Sequence, residues 1–441
     1  MTNLTINHDR LQHELHHLAT LTDCPPTTDT TLPTPTTAVT RIVFTPRDLE
    51  ARAYITGLAE SAGFSVRTDA IGNTFIRFPG TDTTLPAIGT GSHTDAIPHA
   101  GMYDGTVGVL GGLEAMRSLK ESGFQPRRSI ELLVFTSEEP TRFGIGCIGS
   151  RLLGATLDPT TADALPDRLP ETDPQAPTGL TLHDVRTAAG FTASLTTVPL
   201  PPHYYHAWVE LHIEQGPLLE REGLPIGIVT NIAAPASYRY EITGFGGHAG
   251  ALLMPDRRDA LCAAAELILS VERHTLAANA ASNSIDSVAT IGTVGVHPGA
   301  VNSVPSRVTL MLDIRDTDVA RRNQILAALH ADIDDLQSRR HVTITEQKIN
   351  ADVPAISDPH ILATLETICT TNNIPYKKMV ARAYHDTSFI AAIAPVAMLF
   401  IPCRNGVSHR PDEFSTPESI ALGTRVLALA LAQLANEDYT S

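Results

Sequence analysis

The sequence predicts an α/β protein, in which a larger domain with a mainly parallel sheet and helices on both faces carries a smaller inserted α+β domain. Apolar strands alternate with helix-like segments from residue 47 onward, which is typical of a parallel sheet covered on both faces. The middle of the chain instead follows the order β-α-β-β-α-β, which is the split unit of ferredoxin-like domains. We therefore expect 1–230 and 351–441 to form the larger domain and 231–350 the insertion.

The first part of the larger domain is predicted from alternating helical and extended patterns. They are a helix over 47–63, a strand over 64–78 interrupted near Gly72, a strand over 87–92, a helix over 105–122 and a strand over 129–136. Residues 20–40 are rich in Thr and Pro, which predicts a loop or extended segment. We assign no role to 20–38.

The insertion is predicted from four strands and two helices. The strands are 237–243, 287–296, 307–315 and 342–349, and the helices are 256–271 and 318–339. The larger domain then resumes with a helix over 359–371, a strand over 396–401 and a helix over 417–436.

Composition limits the partners that the protein can have. Of its 441 residues 42% are hydrophobic, enough to bury the cores of two or three domains. The net charge of −16 repels nucleic-acid phosphates and anionic lipid, so we expect neither partner. The longest apolar run, 391–402, is too short to span a bilayer.

The cysteines and the N-terminus indicate the compartment. Five scattered cysteines without a Cys-x-x-Cys pair favour neither a disulfide framework nor a zinc ribbon. Residues 1–18 lack the apolar core of a signal peptide. We therefore expect a cytoplasmic protein.

Acidic and imidazole side chains follow several predicted strands, where the loops of an open α/β sheet line the active crevice. His93 and Asp95 come directly after one strand, and Asp104 follows shortly after. A His with a carboxylate two residues later suits a metal ligand whose second ring nitrogen is held by an acid. His-x-Asp alone is common, however, and most such pairs bind no metal.

Glu138 and Glu139 directly follow another apolar strand. Adjacent carboxylates are unfavourable there unless a cation or a proton lies between them, although an exposed turn explains them equally well. His212 and His409 stand beside polar loops, where a single His is more often structural. Together these residues supply the donors preferred by manganese, zinc or cobalt, with one Glu left to act as a base.

Three further features have alternative interpretations. Residues 144–149 match G-x-G-x-x-G, but the preceding acidic pair would repel a pyrophosphate, which favours a glycine-rich turn over nucleotide binding. The chain has no G-x-S-x-G, Walker or H-E-x-x-H motif. His248 lies in a glycine-rich turn that suits either close approach to a ligand or a flexible hairpin. Asn302 and Arg315 could bind a carboxylate, but Arg315 is flanked by two aspartates, and a surface ion pair is the simpler interpretation.

These motifs resemble those of the M20 family of metal-dependent amidohydrolases and peptidases. The similarity is to the branch that holds allantoate amidohydrolases, N-carbamoyl-amino-acid hydrolases and ureidoglycolate amidohydrolases, and it covers nearly the whole chain. The matching segments are 39–41, 91–95, 103–105, 137–144, 210–217, 247–250 and 408–409. The segments 139–143, 233–237 and 382–386 favour the ureidoglycolate enzymes within this branch.

The resemblance implies a centre with two divalent metal ions that share Asp104. One ion would also be held by His93 and His212, and the other by Glu139 and His409. Asp95 would orient His93, and Glu138 would deprotonate the attacking water and pass the proton to the leaving nitrogen. Manganese is expected, although zinc and cobalt prefer the same donors.

The resemblance also implies that the insertion forms a homodimer and closes over the site as a lid. His248, from the partner subunit, would stabilise the tetrahedral oxyanion. The substrate would be held by a set of polar side chains: Gln215, Asn302, Arg315, Tyr384 and His385. Tyr384 stands where allantoate and N-carbamoyl enzymes usually carry Gly, so it would shrink the pocket to suit a short substrate.

The expected reaction is hydrolysis of the ureido C–N bond of ureidoglycolate to glyoxylate, ammonia and carbon dioxide, a step of purine catabolism. Allantoate or an N-carbamoyl amino acid are alternative substrates. Two other functional classes are alternatives: a binding protein on the same fold that has lost its metals, and a dinucleotide-dependent oxidoreductase. All five expected ligands and Glu138 are present, which favours an active enzyme.

Overall fold

The computed structural model describes residues 4–24, 37–173 and 175–437. Most of the Thr/Pro-rich segment, residues 25–36, lies outside this part. The chain forms two compact units. The first contains Met1–Thr230, Ile356–Met379 and His385–Ser441, and the second contains Asn231–Ala355 and Val380–Tyr384.

Helices and strands alternate along the chain before the second unit. They are α1 (His8–Thr20), β1 (Val39–Arg41), α2 (Pro46–Ser61), β2 (Ser65–Thr68), β3 (Thr74–Phe78), β4 (Ala87–His93), β5 (Ala96–Ala100), α3 (Thr106–Glu121), β6 (Ile130–Phe135), α4 (Ile148–Leu153), α5 (Pro159–Asp163), α6 (Leu169–Thr172), α7 (Leu182–Ala188), β7 (Tyr205–Ile213), α8 (Leu218–Glu222) and β8 (Ile226–Ile232). α1 was not predicted, because its many His and charged residues hide the buried face formed by Leu11, Leu15 and Leu18.

The remaining elements complete both units. They are β9 (Ala234–Thr243), β10 (Gly247–His248), α9 (Ala260–Ser282), β11 (Val288–His297), β12 (Ser303–Val304), β13 (Arg307–Asp316), α10 (Val319–Arg340), β14 (Thr343–Ala351), β15 (Ala355–Ile356), α11 (Pro359–Thr371), β16 (Tyr376–Ala381), α12 (Thr387–Ile390), β17 (Val396–Ile401) and α13 (Pro417–Asn436). Helix α9 begins later than predicted because the Asp259 side chain accepts from the amides of Leu261 and Cys262 and caps it there.

The main sheet is mixed, which corrects the prediction of a mainly parallel sheet. Its strand order is β15-β8-β17-β7-β4-β6-β3-β2, and β16 also pairs with β8. The four central strands β17, β7, β4 and β6 are parallel. Strands β8, β3 and β2 pair antiparallel with their neighbours, and a strand's own sequence does not specify that direction.

Helices cover both faces of this sheet, as predicted. Consecutive side chains of β6 point to opposite faces, and Leu132 and Leu133 belong to different apolar cores. The first core includes Leu113 of α3 and Leu431 of α13, whereas the second includes Leu152 of α4. The sheet is thus buried on both sides, and the ends of its strands are left to form a site.

The second unit has its own antiparallel sheet and its own core. Its strand order is β11-β13-β9-β14, which is the order of the split β-α-β unit inferred from the sequence. Helices α9 and α10 supply core residues such as Leu267 and Leu329. Strand β11 lies at the edge of this sheet and its side chains are largely exposed.

Within residues 4–24, 37–173 and 175–437, one helix is long and apolar enough to cross a membrane by length and composition alone. It is α13, and 67% of the relevant window is buried in the structure. Such burial is typical of a core helix, and one helix of this kind is weak evidence for a membrane span.

Candidate metal centre

The predicted ligands converge at the carboxyl ends of the four central parallel strands. His93 is the last residue of β4, and His212 lies near the end of β7. Glu139 follows β6, and His409 follows β17. Asp104 immediately precedes Gly105, which caps α3. Because parallel strands end at the same edge of a sheet, residues far apart in the chain meet there.

Asp104 lies between two groups of possible metal ligands. Its Oδ1 is 3.2 Å from Nε2 of His212 and 3.7 Å from Nε2 of His93. Its Oδ2 is 3.1 Å from Nε2 of His409, which in turn is 3.4 Å from Oε1 of Glu139. Within each group the ligand atoms lie within 4.8 Å of one another. One carboxylate oxygen of Asp104 therefore faces each group.

Backbone contacts orient two of the imidazoles. Nδ1 of His93 is 3.0 Å from the Asp95 carbonyl, and Nδ1 of His212 is 2.9 Å from the Ile213 carbonyl. The amide of Gly105 donates to Nε2 of His212 at 3.1 Å. A proton on Nδ1 satisfies the two carbonyl contacts and makes Nε2, the ring nitrogen on the side of Asp104, the atom that can ligate a metal.

The Asp95 side chain binds the backbone of the acidic pair Glu138–Glu139 more closely than it contacts His93. Its carboxylate accepts from the amides of Glu138 and Glu139 at 3.3 and 3.0 Å. The nearest Asp95 carboxylate oxygen is 3.7 Å from Nδ1 of His93, farther than the Asp95 carbonyl. The expected orientation of His93 thus comes from the main chain of Asp95, and its side chain fixes the loop that carries the two glutamates.

Several buried carboxyl groups lie close together at the carboxyl ends of the central strands. Burial and the charge of Glu139 raise the pKa of Glu138 well above its ordinary value. Burial and the charge of Asp104 raise the pKa of Glu139 to about 8. Carboxyls crowded in this way repel one another when ionised, and divalent cations relieve that repulsion.

The histidines divide according to their distance from Asp104. Burial lowers the pKa of His93 to about 4. Burial also opposes the charged form of His212, but the hydrogen bond and charge of Asp104 outweigh it and raise the pKa to about 9. The same contact raises the pKa of His409 to about 9. In the metal-free protein, the protons on His212 and His409 therefore supply positive charge beside Asp104, as bound cations would.

The glycine-rich segment 144–149 braces the acidic pair. The amides of Cys147, Ile148 and Gly149 donate to the carbonyls of Glu138, Ser137 and Thr136 at 2.8 to 2.9 Å. These amides are not available to a phosphate, which excludes the dinucleotide interpretation for this segment. The Cys147 thiol also lies 3.5 Å from Oε1 of Glu138.

Gln215, predicted to hold substrate, contacts Asp104. Its Nε2 donates to Oδ2 of Asp104 at 3.0 Å and to Oγ of Ser408 at 3.1 Å. Its backbone has a φ of 52°, a left-handed conformation in which the side chain is held by these contacts. In this structure Gln215 supports the centre.

His385 lies beside His212, with the ring centroids 4.5 Å apart in an edge-to-face arrangement. Glu210 joins them in a third acid–imidazole group. Its carboxylate accepts from the hydroxyls of Ser92 and Thr387 at 2.9 and 2.5 Å. These bonds occupy Glu210, so the group buttresses His212.

The other predicted substrate residues belong to the second unit. His248 pairs with Ser303 across β10 and β12, next to Asn302. The guanidinium of Arg315 donates to Asp313 at 2.7 Å, as the ion-pair interpretation predicted. Arg315 also borders a cavity of about 430 Å³ in this unit, and the Tyr384 hydroxyl donates to Asp352 at 2.8 Å.

Two residues at the centre were not predicted from the sequence. Cys147 lies inside the glycine motif, which the sequence predicted to be a glycine-rich turn with no role for the thiol. Glu413 is 2% exposed and accepts hydrogen bonds beside Asp104. Its only signal is its position four residues after His409, in a charged segment that resembles an exposed loop.

Comparisons with known proteins agree with this geometry. Residues 89–433 match the family described as Peptidase family M20/M25/M40. The chain is 47% identical over 434 residues to "Ureidoglycolate hydrolase" of Oryza sativa subsp. japonica, covering 97% of this chain and 85% of that protein. It is 35% identical over 402 residues to "N-carbamoyl-L-amino acid amidohydrolase" of Geobacillus stearothermophilus, covering 91% and 94%.

A solved structure shows the same similarity over the fold. The crystal structure of AtUAH in complex with glyoxylate superposes with a TM-score of 0.85 at 44% sequence identity. The match covers 98% of this chain and 99% of that chain.

Proposed function

Because the chain belongs to peptidase family M20/M25/M40 and is a hydrolase acting on C–N bonds, we propose that it hydrolyses ureidoglycolate to glyoxylate, ammonia and carbon dioxide. The observation that carries the proposal is Asp104, which presents one oxygen to His93 and His212 and the other to Glu139 and His409. The 47% identity to a protein named "Ureidoglycolate hydrolase" supports the substrate.

The donor set fits two divalent cations. The three Nε2 atoms and the carboxylate oxygens are the ligands that manganese, zinc and cobalt accept. We propose that His93 and His212 hold one ion, Glu139 and His409 hold the other, and Asp104 contacts both, with manganese as the natural metal. Bound cations supply positive charge that acidifies water and stabilises negative charge on the ureido carbonyl.

Glu138 is placed to move the proton in this reaction. Oε2 of Glu138 lies 3.7 Å from Nε2 of His93, at the edge of the first ligand group. We propose that Glu138 takes a proton from the attacking water and gives it to the leaving nitrogen when the ureido C–N bond breaks. Cleavage of the terminal C–N bond releases one ammonia and leaves a carbamate, which loses carbon dioxide to give 2-hydroxyglycine. Elimination of the second ammonia from 2-hydroxyglycine then gives glyoxylate.

The second unit would provide the dimer and further substrate contacts. As the resemblance implies, it would form a homodimer, close over the site as a lid, and bring His248, Asn302 and Arg315 to the substrate, alongside Tyr384 and His385. Leu269 and Leu276 of α9 are exposed, and β11 has an open edge. Exposed apolar side chains beside an open edge suit contact with a second copy. Analytical ultracentrifugation would show whether the chain is a dimer.

The proposed location is the cytoplasm, within purine catabolism. All five cysteines are free, which agrees with a reducing compartment.

Two sister activities keep the same chemistry with another substrate. The relative from Geobacillus stearothermophilus supports N-carbamoyl amino acids, and allantoate is the third candidate. We rank ureidoglycolate first because of the higher identity to the rice protein.

The test is ammonia release from ureidoglycolate, allantoate and an N-carbamoyl amino acid. The protein is stripped with chelator and reloaded with Mn²⁺ or Zn²⁺. Metal-restored release that is fastest on ureidoglycolate is the expected result. Faster release from another ureido acid would keep the mechanism and replace the substrate. Metal binding with no release from any of the three would contradict the proposal.

A further inference from the structure

Glu413 is a buried carboxylate tied to two of the segments that carry metal ligands. Its Oε1 accepts from the amides of Tyr103 and Asp104 at 2.9 and 3.0 Å. Its Oε2 accepts from the hydroxyl of Ser408 at 2.7 Å. Ser408 directly precedes His409. A single side chain thus joins the backbone of the shared ligand Asp104 to the loop of a ligand on the other side of the centre.

The surroundings of Glu413 permit little movement. A Cβ built on Gly101 would lie 2.3 Å from Cβ of Glu413 and 2.4 Å from its Oε1, so the loop before Asp104 packs directly on the carboxylate. Ser408 also accepts from Gln215, which donates to Oδ2 of Asp104. Glu413, Ser408 and Gln215 therefore form a hydrogen-bonded chain around one side of Asp104.

Burial alone does not explain a carboxylate at this position. Glu413 is buried beside Asp104, so placing a second acid next to the shared ligand costs free energy in the bare protein. Three hydrogen bonds compensate part of that cost. The arrangement is useful if the position of Asp104 and His409 must be fixed before cations bind.

We propose that Glu413 is a positioning residue for the metal centre, which holds Asp104 and the Ser408–His409 segment in the geometry that both ions require. This inference rests on the proposed function, because it assumes that Asp104 and His409 are ligands. Groups that orient metal ligands are commonly worth 10-fold to 100-fold in metal affinity.

Two substitutions separate geometry from charge. Glu413→Ala removes all three acceptor contacts. Glu413→Gln keeps the size and the Oε1 acceptor for the two amides, and its amide group can donate to Ser408, whose hydroxyl can rotate. Glu14→Ala is the matched control, because Glu14 is another buried carboxylate of the first unit, bonded to Arg117 at 2.8 Å and remote in sequence from every ligand.

The experiment is calorimetric titration of the chelator-stripped full chain with Mn²⁺ alone, together with thermal unfolding of the metal-free proteins. We expect Glu413→Ala to raise the Mn²⁺ dissociation constant by about 10-fold to 100-fold. Glu413→Gln should stay within about threefold of the wild type because the contacts survive. Glu14→Ala should lower the unfolding temperature and leave Mn²⁺ affinity unchanged.

Two results would overturn the inference while leaving the proposed function intact. One is wild-type Mn²⁺ affinity in Glu413→Ala, and the other is an equal loss of affinity in Glu14→Ala, which would make the effect one of general stability. If Glu413→Ala does not fold, Ser408→Ala removes only the linking hydroxyl, and unchanged affinity there would also count against the inference. A wild-type chain that binds no Mn²⁺ would overturn the proposed two-metal centre, and this inference with it.

Discussion

Glu138 and Glu139 are adjacent in the chain and have different surroundings. Glu139 faces His409 and Asp104, whereas Glu138 lies near His93 and the Cys147 thiol. The same loop can therefore supply a ligand and a base, because successive side chains leave it in different directions. The division of roles is testable by removing only the ability of Glu138 to carry a proton.

Glu138→Gln should lower kcat by about 100-fold to 10,000-fold, since an amide of the same size cannot accept the proton of the attacking water. Mn²⁺ binding should persist, because the five ligands are untouched. Steady-state ammonia release and Mn²⁺ titration measure the two properties. Glu131→Gln is the control, as Glu131 is a buried carboxylate on β6 that accepts from the Tyr205 hydroxyl. If the turnover of Glu138→Gln stays within tenfold of the wild type, Glu138 is not the base.

Tyr384 is the residue proposed to select a short substrate. Tyr384→Gly should lower the preference for ureidoglycolate over an N-carbamoyl amino acid, measured as the ratio of kcat/KM values, by at least about tenfold. Tyr384→Phe keeps the ring and removes only the hydroxyl that donates to Asp352. It therefore separates pocket size from hydrogen bonding. An unchanged ratio in Tyr384→Gly would remove this residue from the specificity argument.

The elements that build the centre were predicted well where burial and capping leave a clear signal. Strand β17 and helix α13 begin and end at the predicted residues, because β17 is a fully buried apolar run and Thr416 and Pro417 mark the start of α13. The prediction of a mainly parallel sheet was wrong for the antiparallel pairs that β8, β3 and β2 make. Pairing direction depends on partners distant in sequence, which periodicity does not report.

The loops between the helices and strands contain both site residues that the sequence predicted and one that it did not. Four of the five expected ligands meet because each lies at or after the carboxyl end of a central strand, and Asp104 joins them from the residue before Gly105, the N-cap of α3. Glu413 was missed because its contact with the centre is made to amides of the Asp104 loop, 309 residues away in the chain. No local sequence feature of residues 408–413 predicts that contact.

The start of α3 sets the space available to His93. Gly105 has a φ of 66°, and a Cβ there would lie 2.5 Å from the ring of His93. Gly123, just beyond the other end of α3, has a φ of 79° and nothing within 4 Å of such a Cβ. The two glycines therefore form a matched pair that differs in its neighbours.

Gly123→Ala should cost about 1–2 kcal/mol in unfolding free energy, because it places a side chain on a backbone with positive φ. Gly105→Ala should cost at least as much, because its Cβ also meets the ring of His93. Only Gly105→Ala should also weaken Mn²⁺ binding, since it displaces His93. Denaturant unfolding and Mn²⁺ titration distinguish the two effects. Equal Mn²⁺ affinity in both variants would show that the position of His93 tolerates the added methyl group.

At the scale of the whole molecule, all five expected ligands belong to the first unit. Metal removal should therefore loosen that unit selectively. At free Mn²⁺ about 100 times the dissociation constant, each site should add about 2.7 kcal/mol to its unfolding free energy. Amide exchange without substrate should be slowed by Mn²⁺ around residues 93–105, 137–149 and 408–413. Equal slowing across β9 to β14 would contradict this assignment of the ligands.

The long separation of the ligands also determines when the enzyme can become active during its synthesis. Ser408 contacts Asp104 across 304 residues of chain, and β17 lies between β8 and β7 in the sheet. The sheet of the second unit is complete once β14 has left the ribosome, whereas the first unit still lacks β17 and α13. At roughly 5–20 residues per second, several seconds separate these events. A nascent chain therefore lacks β17 and His409 until its last residues emerge, and a chain that ends after β14 lacks one of the five expected ligands.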